Sequence, residues 1–254
     1  MSSPNTGDPL APLVELPGVA DAVARVRDTV ATVHAHPTNR HGWASTAAEA
    51  SVRAARASAA LDGAGTAAVT ALPEDGVVSD PILAGALRVA EDLGRLLPVW
   101  RRAPLQALAR LHVLAAADLV PEPDRESVLG RPRSGAGVAE RLELLARIVT
   151  TGGSPAPVLV AVVHGELLAV APFDAGNGVV ARAAARLTAL STGLDPKGLA
   201  VPEVGHLRRS SEYREAAAGF AGGSPDGLAR WLLHCCDAWE LGAREALSIA
   251  KAAS

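Results

Sequence analysis

Apolar residues recur at steps of three and four along most of this 254-residue chain, which is the spacing of one face of an α-helix. The clearest example comes early, where five valines follow one another at such steps: Val19, Val23, Val26, Val30 and Val33. A proline and a glycine then interrupt the pattern. The spacing therefore predicts a first helix over residues 19–33.

The same spacing continues after this helix and predicts an all-α fold. Ser79-Asp80-Pro81 and Ser224-Pro225-Asp226 each place a capping residue directly ahead of a proline, which is typical of a helix start. The further predicted helices cover residues 43–61, 81–97, 104–119, 138–148, 179–190, 207–220 and 225–247.

One apolar run does not follow the helical spacing. Residues 157–170 are almost continuously apolar and contain several valines, which are frequent in strands. The run is longer than most strands, so its length favours a helix that is buried on all sides. We therefore predict a buried helix here.

The remaining stretches are predicted to be irregular. Residues 1–15 predict a disordered lead-in, and residues 16–254 predict a single α-helical domain, since neither a repeat nor a change in composition divides them. Loops are predicted over residues 66–78, 120–137, 150–157 and 192–206.

Composition and charge narrow the range of functions. The chain is 49% hydrophobic but only 3% aromatic, and its formal net charge is −3. Its charges are scattered, without the basic stripe that nucleic-acid binding requires, so we expect no nucleic-acid partner. Neither a signal peptide nor a membrane-spanning run is evident, and the adjacent Cys235 and Cys236 predict buried free thiols. We expect a cytoplasmic protein without a membrane partner; the alanine-rich helix faces leave a homo-oligomer open.

The best candidate site is the stretch 171–182, which reads APFDAGNGVVAR. The turn Gly176-Asn177-Gly178 leads directly into a predicted helix, with Asn177 as a favoured capping residue. The first amides of a helix have no partner within it, and the helix dipole is positive there, so such a turn attracts anions. Arg182 follows within the first turns. These residues predict a site for a phosphate group.

This stretch resembles the motif of Fic (Fido) proteins, HPFx(D/E)GNGRxxR. The matching residues are Pro172, Phe173, Gly176, Asn177, Gly178 and Arg182. Further similarities occur in the same order as in that family: Leu111-His112, Gly130-Arg131-Pro132-Arg133, His164, Tyr213 and Trp231. The resemblance implies a Fic-like helical fold, ATP or ADP as ligand, and transfer of AMP from ATP to a hydroxyl group of a protein target.

Three motif positions depart from the family. Ala171 replaces the histidine that acts as general base, Ala175 replaces the acid that holds the metal, and Val179 replaces the first arginine. A positioned base contributes about 10²–10⁴-fold to a rate, and a metal stabilises the developing charge further. We therefore expect a catalytically impaired pseudoenzyme that acts through a protein partner. Bound Mg²⁺ is not expected unless the neighbouring Asp174, a candidate metal ligand, replaces the lost acid.

The segment 58–63, SAALDG, resembles the inhibitory-helix motif (S/T)xxxE(G/N) of the same family, with Asp62 in place of glutamate and Ser58 at its first position. The resemblance implies that Asp62 pairs with Arg182 and inhibits the site. Aspartate is one methylene shorter than glutamate, so this pair requires a closer approach of the two helices.

Other interpretations of the central turn stay open. An active nucleotidyltransferase or phosphotransferase could use displaced groups such as Asp174. The pattern Gly176-x-Gly178-x-x-Ala181, followed by Asp195, also fits a dinucleotide turn of an NAD(P)-dependent oxidoreductase, provided that a strand precedes it. Lastly, the turn could serve packing alone.

The histidines and the arginines of the 130–133 turn have more ordinary interpretations. His112 and His164 lie in apolar segments and predict hydrogen-bonded core residues, whereas His34, His36 and His41 predict a solvated helix end. Arg131 and Arg133 either contact a phosphate or belong to a loop.

Overall fold

The structure is a computed structural model that describes residues 7–65 and 78–253, and within these ranges it contains helices and turns but no strand. The predicted all-α fold is confirmed. The helices are α1 (Ala11–Val14), α2 (Val19–Ala35), α3 (Pro37–His41), α4 (Trp43–Leu61), α5 (Pro81–Trp100), α6 (Pro104–Ala116), α7 (Arg125–Val128), α8 (Val138–Thr151), α9 (Ala156–Val170), α10 (Asn177–Thr192), α11 (Pro202–Arg208), α12 (Ser210–Ala221) and α13 (Pro225–Ala252).

Both predicted caps form. Asp80 Oδ1 accepts hydrogen bonds from the backbone N–H groups of Ile82 and Leu83, at 3.0 and 2.9 Å. Ser224 Oγ accepts from the N–H of Gly227 at 3.1 Å. These side chains supply partners that the first amides of α5 and α13 cannot find within their own helices.

The centre of the fold is the pair α9 and α10, joined by residues 171–176. Helix α9 is buried along most of its length, which confirms the predicted buried helix over 157–170. Helix α10 packs along α9, and α4, α5 and α6 contact the other side of α10. The candidate turn is therefore anchored in the core by the two helices that flank it.

Small residues allow the helices to approach closely. A Cβ atom added to Gly85 in α5 would lie 2.1 Å from the carbonyl oxygen of Ala115 in α6. No side chain fits in that space, so the glycine determines how closely these two helices cross. The low aromatic content of the sequence agrees with such tight packing.

Several predicted boundaries were wrong. Helix α5 continues through Pro98 to Trp100, and α6 ends at Ala116 rather than at residue 119. The predicted loop 192–206 contains the start of α11, because Pro202 occupies a first-turn position where its missing N–H costs nothing. Within the predicted loop 120–137, a 3₁₀ turn (Glu122–Asp124) precedes α7.

The predicted lead-in over residues 1–15 also differs from the structure where the structure describes it. Residues 11–14 form α1, and the Leu10 side chain is buried in the core. The carboxylate of Asp8 holds this segment, because its Oδ1 accepts from the Leu10 N–H at 3.0 Å and from the Ser154 hydroxyl at 2.5 Å. The loop predicted over 66–78 lies outside the described residues except for Val78.

No described helix is both long and apolar enough to cross a membrane.

Cys235 and Cys236 are buried and free, as the sequence predicted. Burial raises the pKa of both thiols, that of Cys236 to about 12, so neither is an activated nucleophile at neutral pH.

Candidate functional site

The turn between α9 and α10 begins with Ala171 in the left-handed region, at φ 42° and ψ 64°. Arg133 holds this turn with three hydrogen bonds. Its guanidinium donates to the carbonyl oxygens of Ala171 and Val170, at 2.7 and 2.9 Å. The backbone N–H of Arg133 donates to the carbonyl of Pro172 at 2.7 Å. Arg133 therefore binds the turn itself. Arg133 lies in a loop, as one of the two sequence interpretations had it, but neither interpretation included this role.

Asn177 does not cap α10 as predicted. Gly176 occupies the cap position, and Asn177 is the first helical residue. Its side-chain amide instead clasps the turn, since Oδ1 accepts from the Phe173 N–H at 2.9 Å and Nδ2 donates to the Phe173 carbonyl at 2.7 Å. The side chain thus closes the loop before the helix and leaves the first amides of α10 for other partners.

One of these partners is the carboxylate of Asp62, which follows α4. Oδ2 accepts from the Val179 N–H at 3.0 Å, and Oδ1 accepts from Arg182 Nη2 at 2.7 Å. A Cβ atom on Gly178 would lie 2.2 Å from Asp62 Oδ1, so only glycine at this position admits the carboxylate. An anionic group of the chain itself therefore occupies the predicted anion site.

Arg182 is buried, with 3% of its surface exposed, and its donors are almost fully used. Nε donates to Ser58 Oγ at 2.8 Å, Nη2 donates to the Ser58 carbonyl and to Asp62, and Nη1 donates to the Tyr213 hydroxyl at 3.2 Å. A guanidinium has five N–H groups, so one remains. Burial opposes the charge of Arg182, but Tyr213 and Asp62 outweigh it and raise the pKa of the guanidinium.

Behind Arg182 lies a buried cluster of rings. The Tyr213 hydroxyl accepts from Arg182 Nη1 and also forms a hydrogen bond with His164 Nε2, at 2.9 Å. His206 Nδ1 and His234 Nε2 form a second contact at 3.1 Å. Burial holds the pKa of His164 and His206 well below the usual range, and nearby positive charge adds to the effect. His164 is thus a neutral, hydrogen-bonded core residue, as predicted.

His112 packs against the turn through Phe173. Its ring stacks on Phe173 with centroids 4.0 Å apart, and Nδ1 accepts from the Gly130 N–H at 2.9 Å. That bond places the ring proton on Nε2, which has no hydrogen-bond partner among the described residues. Burial lowers the pKa of His112, and the ring is fully enclosed. It cannot reach a substrate in this position.

The replaced motif positions carry no catalytic side chain. Ala171 and Ala175 offer only methyl groups, and Val179 is buried in the core. Asp174 is exposed on the turn. Within the described ranges, no group of three or more His, Cys, Asp or Glu side chains is arranged to hold a metal ion.

Two further sequence interpretations are wrong. His34 Nε2 lies 2.8 Å from Asp195 Oδ1, so this histidine is a partner of a buried acid and not part of a solvated end. Asp195 also accepts from the N–H groups of Leu199 and Ala200, at 3.0 and 2.9 Å. The dinucleotide interpretation needed Asp195 for a ribose and a strand before the turn, whereas helix α9 precedes it.

The sequence indicated Ser58, Asp62 and Arg182 but missed two partners. Tyr213 was predicted only as part of a surrounding helix, and Arg133 was not predicted to hold the turn. No local pattern could have revealed either, because Tyr213 is 31 positions from Arg182 and Arg133 is 38 positions from Ala171.

The whole fold is similar to that of two solved Fic proteins. A Fic family protein from Desulfovibrio desulfuricans has a TM-score of 0.70 and 20% identity, over 91% of this chain and 74% of that one. Fic-1 (residues 134–508) from C. elegans has a TM-score of 0.70 and 18% identity, over 96% of this chain and 76% of that one. No protein-family model and no curated protein sequence matches the chain. The predicted resemblance is therefore confirmed at the level of the fold.

Proposed function

We propose that this chain is a Fic-type protein that binds the phosphate group of a nucleotide, ATP or ADP, at the turn before α10. In this proposal it is a pseudoenzyme that does not transfer AMP by the family's usual chemistry and acts through a protein partner. The observation that carries the proposal is the Asp62 carboxylate on the Val179 N–H and on Arg182.

A carboxylate in this position is a good guide to the ligand. Carboxylate and phosphate oxygens accept the same hydrogen bonds, and both are stabilised at the positive end of a helix. Val179 N–H and Arg182 Nη2 are the donors that a phosphate would use. Both are taken, and Arg182 has one N–H group left. A phosphate must therefore exchange with Asp62, which makes the end of α4 an internal competitor.

The same residues argue against AMP transfer. A base is needed to accept the proton of the target hydroxyl, and the side chain at position 171 is a methyl group. A metal ion that bridges the phosphates needs a carboxylate, and the side chain at position 175 is also a methyl group. Losing a positioned base alone costs about 10²–10⁴-fold in rate.

Calorimetric titration with ATP and ADP, with and without Mg²⁺, tests the proposal. The variants are Asp62→Ala, which frees both donors, and Arg182→Met, which removes one donor but keeps much of the side-chain volume. Asp28→Asn, an exposed acid on α2, is the matched control for lost charge. We expect Asp62→Ala to bind at least about tenfold more tightly than the natural chain, since a charge-assisted hydrogen bond is worth about 1.5–3 kcal/mol.

The outcomes separate the parts of the proposal. Equal affinity in the natural chain and in Asp62→Ala would refute the competition, and failure of both nucleotides to bind Asp62→Ala would reduce the turn to a packing element. Labelled ATP added to the chain and candidate targets tests the pseudoenzyme part, because transfer of label would establish an active transferase with displaced groups. If Arg182→Met fails to fold, the double variant Asp62→Ala/Gly178→Ala takes its place.

A further inference from the structure

A cavity lies at the other end of α9 from the candidate turn. It has a volume of 680 Å³ and is lined by the start of α9 and the segment that leads into it, by the ends of α8 and α10, by Arg27 of α2 and by Arg101 after α5. Helix α9 is 15 residues long, so about 22 Å separates this cavity from the turn at residue 171. Nothing that occupies the turn would reach it.

The charged side chains that line this cavity are Arg27 and Arg101, and no acidic residue lines it. Neither guanidinium has a hydrogen bond or an ion pair with the described residues. Other arginines nearby in sequence are paired, for example Arg25 with Glu240 at 3.1 Å. The two guanidinium groups therefore retain their donors and face one cavity from two separate elements.

The helix ends around the cavity do not determine the sign of its charge. The N-terminus of α9 contributes about +0.5 of an elementary charge, and the C-termini of α5, α8 and α10 contribute about −0.5 each. These contributions leave about −1, against two full positive charges from Arg27 and Arg101. The nearby Asp8 carboxylate is already bonded to Ser154 and to the Leu10 N–H. The two guanidinium groups are therefore the charged groups of the lining that have donors left for a ligand, and such donors favour an anion.

The hydroxyl groups in the cavity provide a different kind of contact. Thr150 Oγ1 donates to the carbonyl of Ala146 at 2.9 Å, and Thr192 Oγ1 donates to the carbonyl of Thr188 at 2.8 Å. Their protons are used, so each oxygen can only accept a hydrogen bond from a ligand in the cavity. Ser154 is not available in this way, because its hydroxyl is bonded to Asp8 at the edge of the cavity.

The segment that precedes α9 leaves free space in the cavity. Gly152 and Gly153 both have positive φ, and a Cβ atom added to either would meet nothing within 4 Å. The lining also includes apolar side chains, such as Leu159. The cavity volume of 680 Å³ lies within the range of about 300–1,000 Å³ that small-molecule sites occupy.

We propose that this cavity binds a small polyhydroxylated organic anion, with its phosphate or carboxylate group on Arg27 and Arg101 and its hydroxyl groups on the threonine oxygens. The site is independent of the proposed nucleotide site. Its ligand is recognised by anionic charge at one end and hydrogen-bond donors at the other.

Calorimetric titration of the full chain with glucose 6-phosphate, gluconate and glucose tests this proposal. The first two probes distinguish a phosphate from a carboxylate, and glucose carries hydroxyl groups without charge. We expect at least one anion to bind and glucose not to bind. In the double variant Arg27→Gln/Arg101→Gln, affinity should fall about a hundredfold, or about tenfold per arginine, which is about 1.4 kcal/mol each.

Two controls make the test specific. Arg40→Gln removes another exposed arginine, on α3, and should leave affinity unchanged. Asp62→Ala should also leave it unchanged, because that residue belongs to the other site. Equal loss in Arg40→Gln, equal binding of glucose, unchanged binding in the double variant, or no binding of either anion at millimolar concentration would each overturn the proposal. Because Arg27 and Arg101 are exposed, the variants should fold, and their unfolding temperatures check this.

Discussion

Asp62 and Arg182 are 120 positions apart in the chain, and their side chains meet with 2.7 Å between Oδ1 and Nη2. The other carboxylate oxygen of Asp62 caps α10 through the Val179 N–H. A shorter acid than glutamate reaches the arginine because Gly178 leaves space for the carboxylate against the helix. Both hydrogen bonds of the Asp62 carboxylate, one to the Arg182 side chain and one to the backbone of α10, thus depend on Gly178.

Replacing Gly178 by alanine should act through Asp62. The new Cβ would lie 2.2 Å from Oδ1, so the carboxylate must leave and both of its bonds are lost. We expect the free energy of unfolding to fall by about 1–3 kcal/mol. In the Asp62→Ala background the same change should be neutral or stabilising by about 0.5–1 kcal/mol, because alanine favours helix more than glycine does. Urea unfolding of the four proteins in this double-mutant cycle measures the coupling, and additive effects would contradict it.

The close crossing of α5 and α6 predicts that replacing two glycines of α5 by alanine has opposite effects on stability. Gly85→Ala places a methyl group 2.1 Å from the Ala115 carbonyl, so the backbone must move. We expect a loss of about 3 kcal/mol. Gly94→Ala meets nothing within 4 Å and should stabilise the chain by about 0.5–1 kcal/mol. Thermal or urea unfolding of both variants checks this, and a similar effect in the two would show that the crossing is not tight.

The left-handed conformation of Ala171 carries a strain that glycine would relieve. Its φ of 42° brings Cβ close to the backbone, which costs a non-glycine residue about 1–2 kcal/mol. After the greater flexibility of unfolded glycine is subtracted, we expect Ala171→Gly to stabilise by about 0.5–1 kcal/mol. Ala169→Gly, inside α9, is the matched control and should destabilise by about 1 kcal/mol. Destabilisation by both changes would argue against strain at residue 171.

Stability should fall as the pH falls below the usual pKa of histidine. Burial holds the pKa of His164 and His206 well below 6.5, so below that value the unfolded chain binds protons that the folded chain does not. These two residues should remove about 2–3 kcal/mol from the free energy of unfolding between about pH 7.5 and about pH 5.5.

Urea unfolding across this pH range measures the slope of the free energy of unfolding against pH. His206→Gln removes one of the buried histidines with a lowered pKa and should make the slope clearly shallower, whatever the variant does to stability at neutral pH. A slope near zero in the natural chain would mean that these histidines accept protons in the folded state.

The sequence alone determined most of the long helices and the turn at which the candidate site begins. The valine spacing of α2, the caps at Asp80 and Ser224, and the glycine turn before α10 are local features. Burial of one face and satisfaction of the first amides depend on residues within a few positions of each other. The sequence misplaced helix ends such as those at Trp100 and Ala116, because tertiary packing outweighs local helix propensity there.

Only the tertiary structure decided what each site residue contacts. The sequence named Asn177 as a cap and left Arg133 open between a phosphate contact and a loop residue, but both side chains hold the turn together. It offered Asp195 as a ribose ligand, but His34 and two backbone amides occupy that acid. A polar side chain binds whichever donor or acceptor the fold brings within about 3 Å, and residues far apart in the chain supply most of those partners.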